Sequence, residues 1–467
     1  MRKARNAPSD LGGKKKKRMA DSPVPVSRTT TRPRFGTFVF AALALTILAV
    51  PVSRAQEINE AVTIEDLGFT GRFTVGARPS ALAGAYTAAG EDIYSLVYNP
   101  AGLARIRRIE TSLGFQHKKN NLTNVFYGND NEVDLSSTRL DAFAAAYPVP
   151  TYRGSLVFAG GVYRVMSSDF QILNRGFNTV SETFDDYLLQ QTGSIYSYNV
   201  GFGVDLSPAI SAGASGFMMD GTIKALTQFS YAYPPPFVPG EQESEFLLDD
   251  ARVDLDGYGA TIGIQYHPLS LVRFGLSVTT PIKINLSGDA IEETARYFFN
   301  APGEFTSQRF AIDTDYKIPF RINVGFALST PNVLFAADVG YTDWAQAEIN
   351  SRQLKDEDLR PIFNQVIDIR AGAELVLPFM PVRVRAGYAY LPYGLEYLQA
   401  DRIAGNALTK AEVQTQRQIY AAGCGFLLGR VLIIDAAYEY SLGKRSIGTL
   451  VDDRTSHRLI LTGSYRF

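Results

Sequence analysis

The chain ends on SHRLILTGSYRF, residues 456–467. Successive side chains of a β-strand point to opposite faces, so the stretch sorts into two sets. His457, Leu459, Leu461, Gly463, Tyr465 and Phe467 fall on one face. Arg458, Ile460, Thr462, Ser464 and Arg466 fall on the other. One set is mostly apolar and the other mostly polar. A soluble sandwich would bury the apolar set in a dry core. A strand of a membrane barrel would turn it to lipid and turn the polar set to a wet lumen.

The same pattern recurs upstream, and its detail favours the barrel. VRVRAGYAY (382–390) opposes Val382, Val384, Ala386, Tyr388 and Tyr390 to Arg383 and Arg385. VIDIRAGAEL (366–375) groups Asp368, Arg370, Gly372 and Glu374. YSYNVGFGVDL (196–206) opposes Tyr198, Val200 and Phe202 to Ser197, Asn199, Gly201, Gly203 and Asp205. FRINVGFAL (320–328) opposes Ile322, Val324 and Phe326 to Arg321, Asn323 and Gly325. Charged residues share a face with glycine, and tyrosines gather near strand ends on the apolar face. That combination fits lipid outside and a polar lumen inside.

Connection lengths point the same way. Short links at 148–153, 207–208, 267–270, 331, 378–381 and 429–430 alternate with segments read as long loops at 118–137, 167–193, 227–249, 288–307, 350–364, 392–414 and 442–455. Outer-membrane barrels have short periplasmic turns and longer extracellular loops. The expected fold is an all-β, transmembrane antiparallel barrel of about fourteen strands over residues 109–467. Residues 306–330 count as one bent strand despite Pro319. The terminal Phe467 is the signal by which barrel-assembly machinery would read the last strand.

Composition narrows the functional classes. The 467 residues carry net charge −1, which gives no electrostatic case for nucleic acid. Cys424 is the single cysteine and the three histidines are far apart, so the expectation is no disulfide, no metal site and no cofactor. At the N-terminus, KKKKR (14–18) and a second basic cluster precede the apolar run 35–52 and then Ser53-Arg54-Ala55. This reads as a secretory signal, residues 1–55, cleaved after Ala55; an uncleaved anchor is the alternative, and Met1 and Met19 both remain possible starts. After Ala55 no run approaches the roughly twenty apolar residues of a membrane helix.

Residues 56–108 precede the barrel and do not alternate. Ser80 is expected to cap a short helix through SALAGAYTAA (80–89). Pro100 breaks the chain and biases Asn99 towards an extended backbone. A barrel of about fourteen strands leaves a lumen too wide for side chains alone, so this segment is expected to fold inward as a hatch.

GARPSALAGAYTAAGEDIYSLVYNPAGLA (76–104) resembles the N-terminal hatch of the FadL/TodX family of outer-membrane hydrophobic-compound transporters, most specifically in Asn99-Pro100-Ala101-Gly102-Leu103. ADVGYTDWAQ (337–346), IRAGAELVLP (369–378) and VRVRAGYAYLP (382–392) resemble later strands of that family. The resemblance implies a monomeric barrel in lipid that takes up apolar small molecules such as long-chain fatty acids. The related PorV branch has a similar hatch but serves protein secretion, which leaves that role as the alternative.

Each candidate site has a plainer reading beside it. Loops containing FSYAYPPPFVPG (229–240) and ARYFFNAPGEF (295–305) expose aromatics, and such patches mark binding. By resemblance they are the pair that captures ligand, through Phe229, Tyr231, Tyr233, Phe237, Tyr297, Phe298 and Phe299; the plainer reading is loop packing that caps the barrel. Gly160-Gly161 in the third strand suits a kink, which in that family opens the wall sideways; a small-residue contact with the hatch is the alternative. Asp368, Arg370, Glu374, Arg383 and Arg385 form either a ladder of lumen ion pairs or a carboxylate site. Asn99, Pro100, Ala101 and Gly102 form either a simple turn or a gate. An enzyme is not expected: Ser456 and His457 face opposite ways on their strand and cannot pair.

Overall fold

A computed structural model describes residues 74–126, 129–178, 182–351, 365–392, 397–400, 409–429, 431–447 and 450–467. The expected signal segment, the two candidate starts and the first part of the hatch, 56–73, lie outside the described residues.

The strands run antiparallel around a closed sheet. In chain order they are β1 Glu110–Phe126, β2 Asn129–Val149, β3 Leu156–Ser167 continued by Phe170–Asn178, β4 Thr183–Ser207, β5 Ile210–Ala232 and β6 Gln242–Leu269. There follow β7 Val272–Thr279 with Ile282–Phe298, β8 Ala301–Ile318 with Arg321–Ser329, and β9 Val333–Asp343 with Glu348–Ser351. The last are β10 Gln365–Val376, β11 Val382–Pro392 with Tyr397–Ala400, β12 Thr409–Leu428, β13 Leu432–Ile447 and β14 Leu450–Arg466. Glu110 of β1 pairs with Arg466 of β14, which closes the ring at fourteen strands. Pro281 and Pro319 interrupt β7 and β8 because proline has no N–H for the ladder. Each resumes on the same partners, so 306–330 lies on one strand, as expected.

The register agrees with the alternation. On β4, Val200 is 68% exposed while Asn199 is 4% exposed. On β14, Leu459, Leu461 and Tyr465 face outward and Arg458, Thr462 and Ser464 are buried within.

Among the described residues the segments expected as long loops are largely strand instead; 352–364, 393–396 and 401–408 of those segments lie outside the described residues. Lys118 pairs with Ser137, Thr227 with Asp249, and Glu293 with Ser307. The reason is visible along β6. Its outward face is apolar at Tyr258, Ile262, Ile264 and Tyr266, then exposes Asp256, Asp254, Arg252 and Asp250. The apolar part matches the roughly 9–11 residues of a membrane-crossing strand. Beyond it the outer face meets water, so the contrast that marks a membrane strand disappears while the hydrogen-bonded ladder continues.

The chain before β1 lies against the inward face of the barrel. It contains helix α1 (Ala77–Ala81), helix α2 (Ser95–Tyr98) and a 3-10 turn at Pro100–Arg105. The expected helix through 80–89 with Ser80 as its cap does not form. Ser80 lies inside α1, Gly76 precedes it at φ 82°, and the positive φ of Ala83 and Gly84 ends helical winding. Asn99 is extended as expected (φ −154°), and its side chain accepts from the Ala101 N–H to start the 3-10 turn at Pro100.

Candidate functional site

The hatch is held by lumen side chains. Gly76 N donates to Asp141 Oδ2 at 2.8 Å and Ala77 N to Thr462 Oγ1 at 3.0 Å. The N–H groups of Tyr86 and Thr87 both donate to Asp338 Oδ2 at 2.8 Å. Asn99 Nδ2 donates to Thr87 O within the hatch at 2.8 Å and to Ile264 O on β6 at 3.2 Å. A short irregular segment cannot satisfy all of its own backbone, so barrel carboxylates and the Thr462 hydroxyl take up N–H groups left over. Lumen glycines allow the approach. A Cβ at Gly213 would collide with Pro100, and one at Gly275 with the Thr87 carbonyl.

The five charges singled out on β10 and β11 do form ion pairs, but within a larger network. Arg385 bonds Glu374 at 2.6 Å and Asp435 of β13 at 2.6 Å. Arg370 lies 2.5 Å from Asp368, which also pairs with Arg321. Arg383 reaches Glu374 at 3.6 Å and is partly exposed. Arg78 of the hatch completes the set, bonding Glu374 at 3.1 Å and Asp92 at 3.2 Å. Asp338 and Asp435 were legible by strand parity. Arg78 had no such signal, since its segment does not alternate.

Towards the outer end the inward face becomes apolar. Ile195, Ile223, Val253, Leu286 and Ile312 form one buried cluster that reaches Met166 and Val165 on β3. Further out the predicted aromatics extend this face. Phe229 and Tyr231 on β5 and Tyr233 just past its end meet in turn, one pair tilted and the next edge-on, with ring centroids 5.8 and 5.7 Å apart. Phe237 meets Phe299 at 5.7 Å. Phe298 pairs across to Gln242, and Tyr297 is exposed. Backbone bonds between Gly240 and Phe299 and between Phe299 and Glu241 join the β5–β6 and β7–β8 hairpins. The seven aromatics thus lie on two joined hairpins, Tyr233, Phe237 and Phe299 in the connecting turns and the other four on the strand ends.

The wall is unzipped between the outer parts of β2 and β3. β2 pairs with β3 only from Ala142–Tyr163 to Val149–Leu156. Beyond that, residues 129–141 of β2 pair with β1 alone, and Phe170–Asn178 pairs with β4 alone. Gly160 and Gly161 are not the site of the break, because both are paired on each side. A Cβ on Gly161 would meet Ala144 and Tyr163, so small size there serves inward packing within the wall. The ladder is disturbed at Val165, between Arg164 and Met166, and β3 is interrupted at Ser168-Asp169. Side chains bridge the gap. Asp169 Oδ2 accepts from Ser137 at 2.7 Å and from Arg164 at 3.0 Å, and Asn120 donates to the Asp169 carbonyl at 2.7 Å. The seam starts at the outer margin of the apolar belt, where the outward face passes from Phe115 and Phe143 to His117 and Thr138.

The sequence matches the BamG family over residues 70–379. No curated protein matches the chain. Its fold is similar to the P. putida toluene transporter TodX, with TM-score 0.61 and 12% identity over 85% of this chain and 99% of that one. It is similar to a Pseudomonas aeruginosa FadL homologue, with TM-score 0.58 and 13% identity over 85% and 99%. It is also similar to the Ralstonia pickettii toluene transporter TbuX, with TM-score 0.55 and 14% identity over 86% and 100%. The resemblance to FadL/TodX barrels therefore holds in the fold, and the family match spans the hatch and the larger part of the barrel: this chain belongs to the BamG family.

Proposed function

We propose that the barrel passes apolar molecules from the cell surface into the outer membrane. The aromatic hairpin tips collect the ligand, the apolar inner face carries it, and the β2–β3 seam releases it sideways at the outer margin of the lipid layer. One observation carries this reading: the buried apolar cluster runs from Ile312 to Met166 and Val165, which border the unzipped stretch between β2 and β3. An apolar molecule that stays on this route avoids water, and exposure to water costs about 25 cal/mol per Å². Monoaromatic hydrocarbons and long-chain fatty acids are the ligand classes to test first, given the transporters that share the fold. The hatch closes the periplasmic end, and the barrel acts as a monomer assembled through the strand ending at Phe467.

A Ser137→Cys/Asp169→Cys pair in a Cys424→Ala background tests the exit. Oxidation should lock the seam and stop uptake of labelled toluene and palmitate into cells, and reduction should restore it. Equal uptake by oxidised and reduced protein would place the exit elsewhere.

A second reading, a membrane-anchored partner of a protein-secretion machine, draws on the hatch. Arg78 ties the hatch to the wall through buried ion pairs with Asp92 and Glu374, as suits an anchor more than a channel. Here the purified barrel would transport nothing by itself and would co-purify with exported proteins.

A further inference from the structure

The interior beneath the aromatic tips holds two acids that nothing among the described residues offsets. Asp249 on β6 and Glu292 on β7 are direct cross-strand partners. Alternation puts both on the inward face, Asp249 following Ala251 and Val253, and Glu292 following Ala290 and Leu286. Each is at least nine-tenths buried. Asp249 Oδ1 and Glu292 Oε2 accept no hydrogen bond. A third atom in the same condition is Oε1 of Gln191, which is buried on β4. Its rung lies next to theirs, with Gln191 opposite Ala225 and Ala225 opposite Ala251.

Two carboxyls directly opposed on one face repel each other, and a buried carboxylate without a partner is costly. Burial raises both groups, and Glu292 adds to the rise at Asp249. All three unpartnered atoms are acceptors, so the group that would satisfy them is a donor. Next to the acids come Ala225, Ala251 and Ala290, and after these Ile223, Val253 and Leu286, which are small or apolar and all buried. The surroundings call for a cationic donor with a hydrocarbon body.

The geometry points to Asp249 and Glu292 as a recognition site for the ammonium end of a small apolar amine, its hydrocarbon part lying along the alanine rung; this rests on the reading that the inner face takes apolar ligands. An ammonium brings three N–H donors and a charge that lets both carboxyls ionise. An alcohol of equal length brings one donor and no charge. A fatty acid would add a third negative group.

The full chain in zwitterionic lipid nanodiscs, titrated calorimetrically with hexylamine and with hexanol against empty discs, tests this. Hexylamine should bind at least tenfold more tightly than hexanol. Asp249→Asn and Glu292→Gln should each cut that ratio towards one, with folding verified by heat-modifiable gel migration. If hexanol binds and hexylamine binds no tighter, the acids are not an amine site, although the apolar interior stands. A preference that survives both substitutions also overturns the assignment. If neither compound binds, the apolar-ligand reading fails and the amine site fails with it.

Discussion

At Gly213 a missing methyl group decides whether the lumen can hold its hatch. A Cβ there would strike the Pro100 backbone, which no side-chain rotation relieves. Gly213→Val should leave the barrel able to form but unseat the hatch. Conductance in planar bilayers should then rise well above that of the native protein; a channel as closed as the native one would mean the hatch has room to shift. Asp249 sets a different residue-scale expectation. It lies beyond the apolar belt, where burial and then the adjacent Glu292 push its carboxyl up to about 7, against about 3.9 in an unfolded chain. Between those values the folded state holds a proton that the unfolded state releases. Stability is therefore greatest below about pH 4 and falls as pH rises through 7. Asp249→Asn should remove this slope, matching the native protein at pH 4 and exceeding it at pH 8 by an amount on the order of 3 kcal/mol. Urea unfolding from lipid vesicles at the two pH values measures it, and parallel curves would contradict it.

Strands carry the contrast between lipid and lumen. Val200→Lys places a charge in the apolar belt and should cost roughly 2–4 kcal/mol. Tyr198→Lys should cost less, because its rung, with Met218 and Tyr258, is the last before the outward face turns charged. Asn199→Ala loses bonds only to Ser197 and should cost about 0.5–1.5 kcal/mol. Vesicle unfolding of the three variants ranks them, and equal costs on both faces would reject the register. The alternation that revealed these faces exists only where one side meets lipid. In β6 it is legible over 258–266 and then gives way to Asp256, Asp254, Arg252 and Asp250, so the ladder beyond read as loop. The helix at 80–89 was misplaced for a related reason. Pro79 and Ser80 fit inside a short helix as readily as before one, and only the positive φ at Ala83 and Gly84 settles where winding stops.

Across the whole molecule, the β2–β3 seam is a place where the closed ring is weak. Half of the β2 backbone groups over 129–141 lack a ladder partner on the β3 side. Their amides should exchange hydrogen at least tenfold faster than those of 142–149, read by mass spectrometry of the barrel in nanodiscs. Uniform protection along β2 would mean the seam is zipped in solution. The barrel class, the strand number and the inward charges Asp368, Arg370, Glu374 and Arg385 were written in the sequence, because lipid on one side imposes a period of two on every crossing strand. The seam was not, since pairing between strands depends on register, and Val165 and Asp169 carry no mark of a bulge or a break. Nor was the link from Arg78 to Glu374, which are distant in sequence and are brought together only when the chain before β1 enters the ring. The sequence by itself determined which face of each strand meets lipid. Only the closed tertiary structure decided what lies against the inner face and where the ladder between strands stops, because those contacts join residues with no local relation to one another.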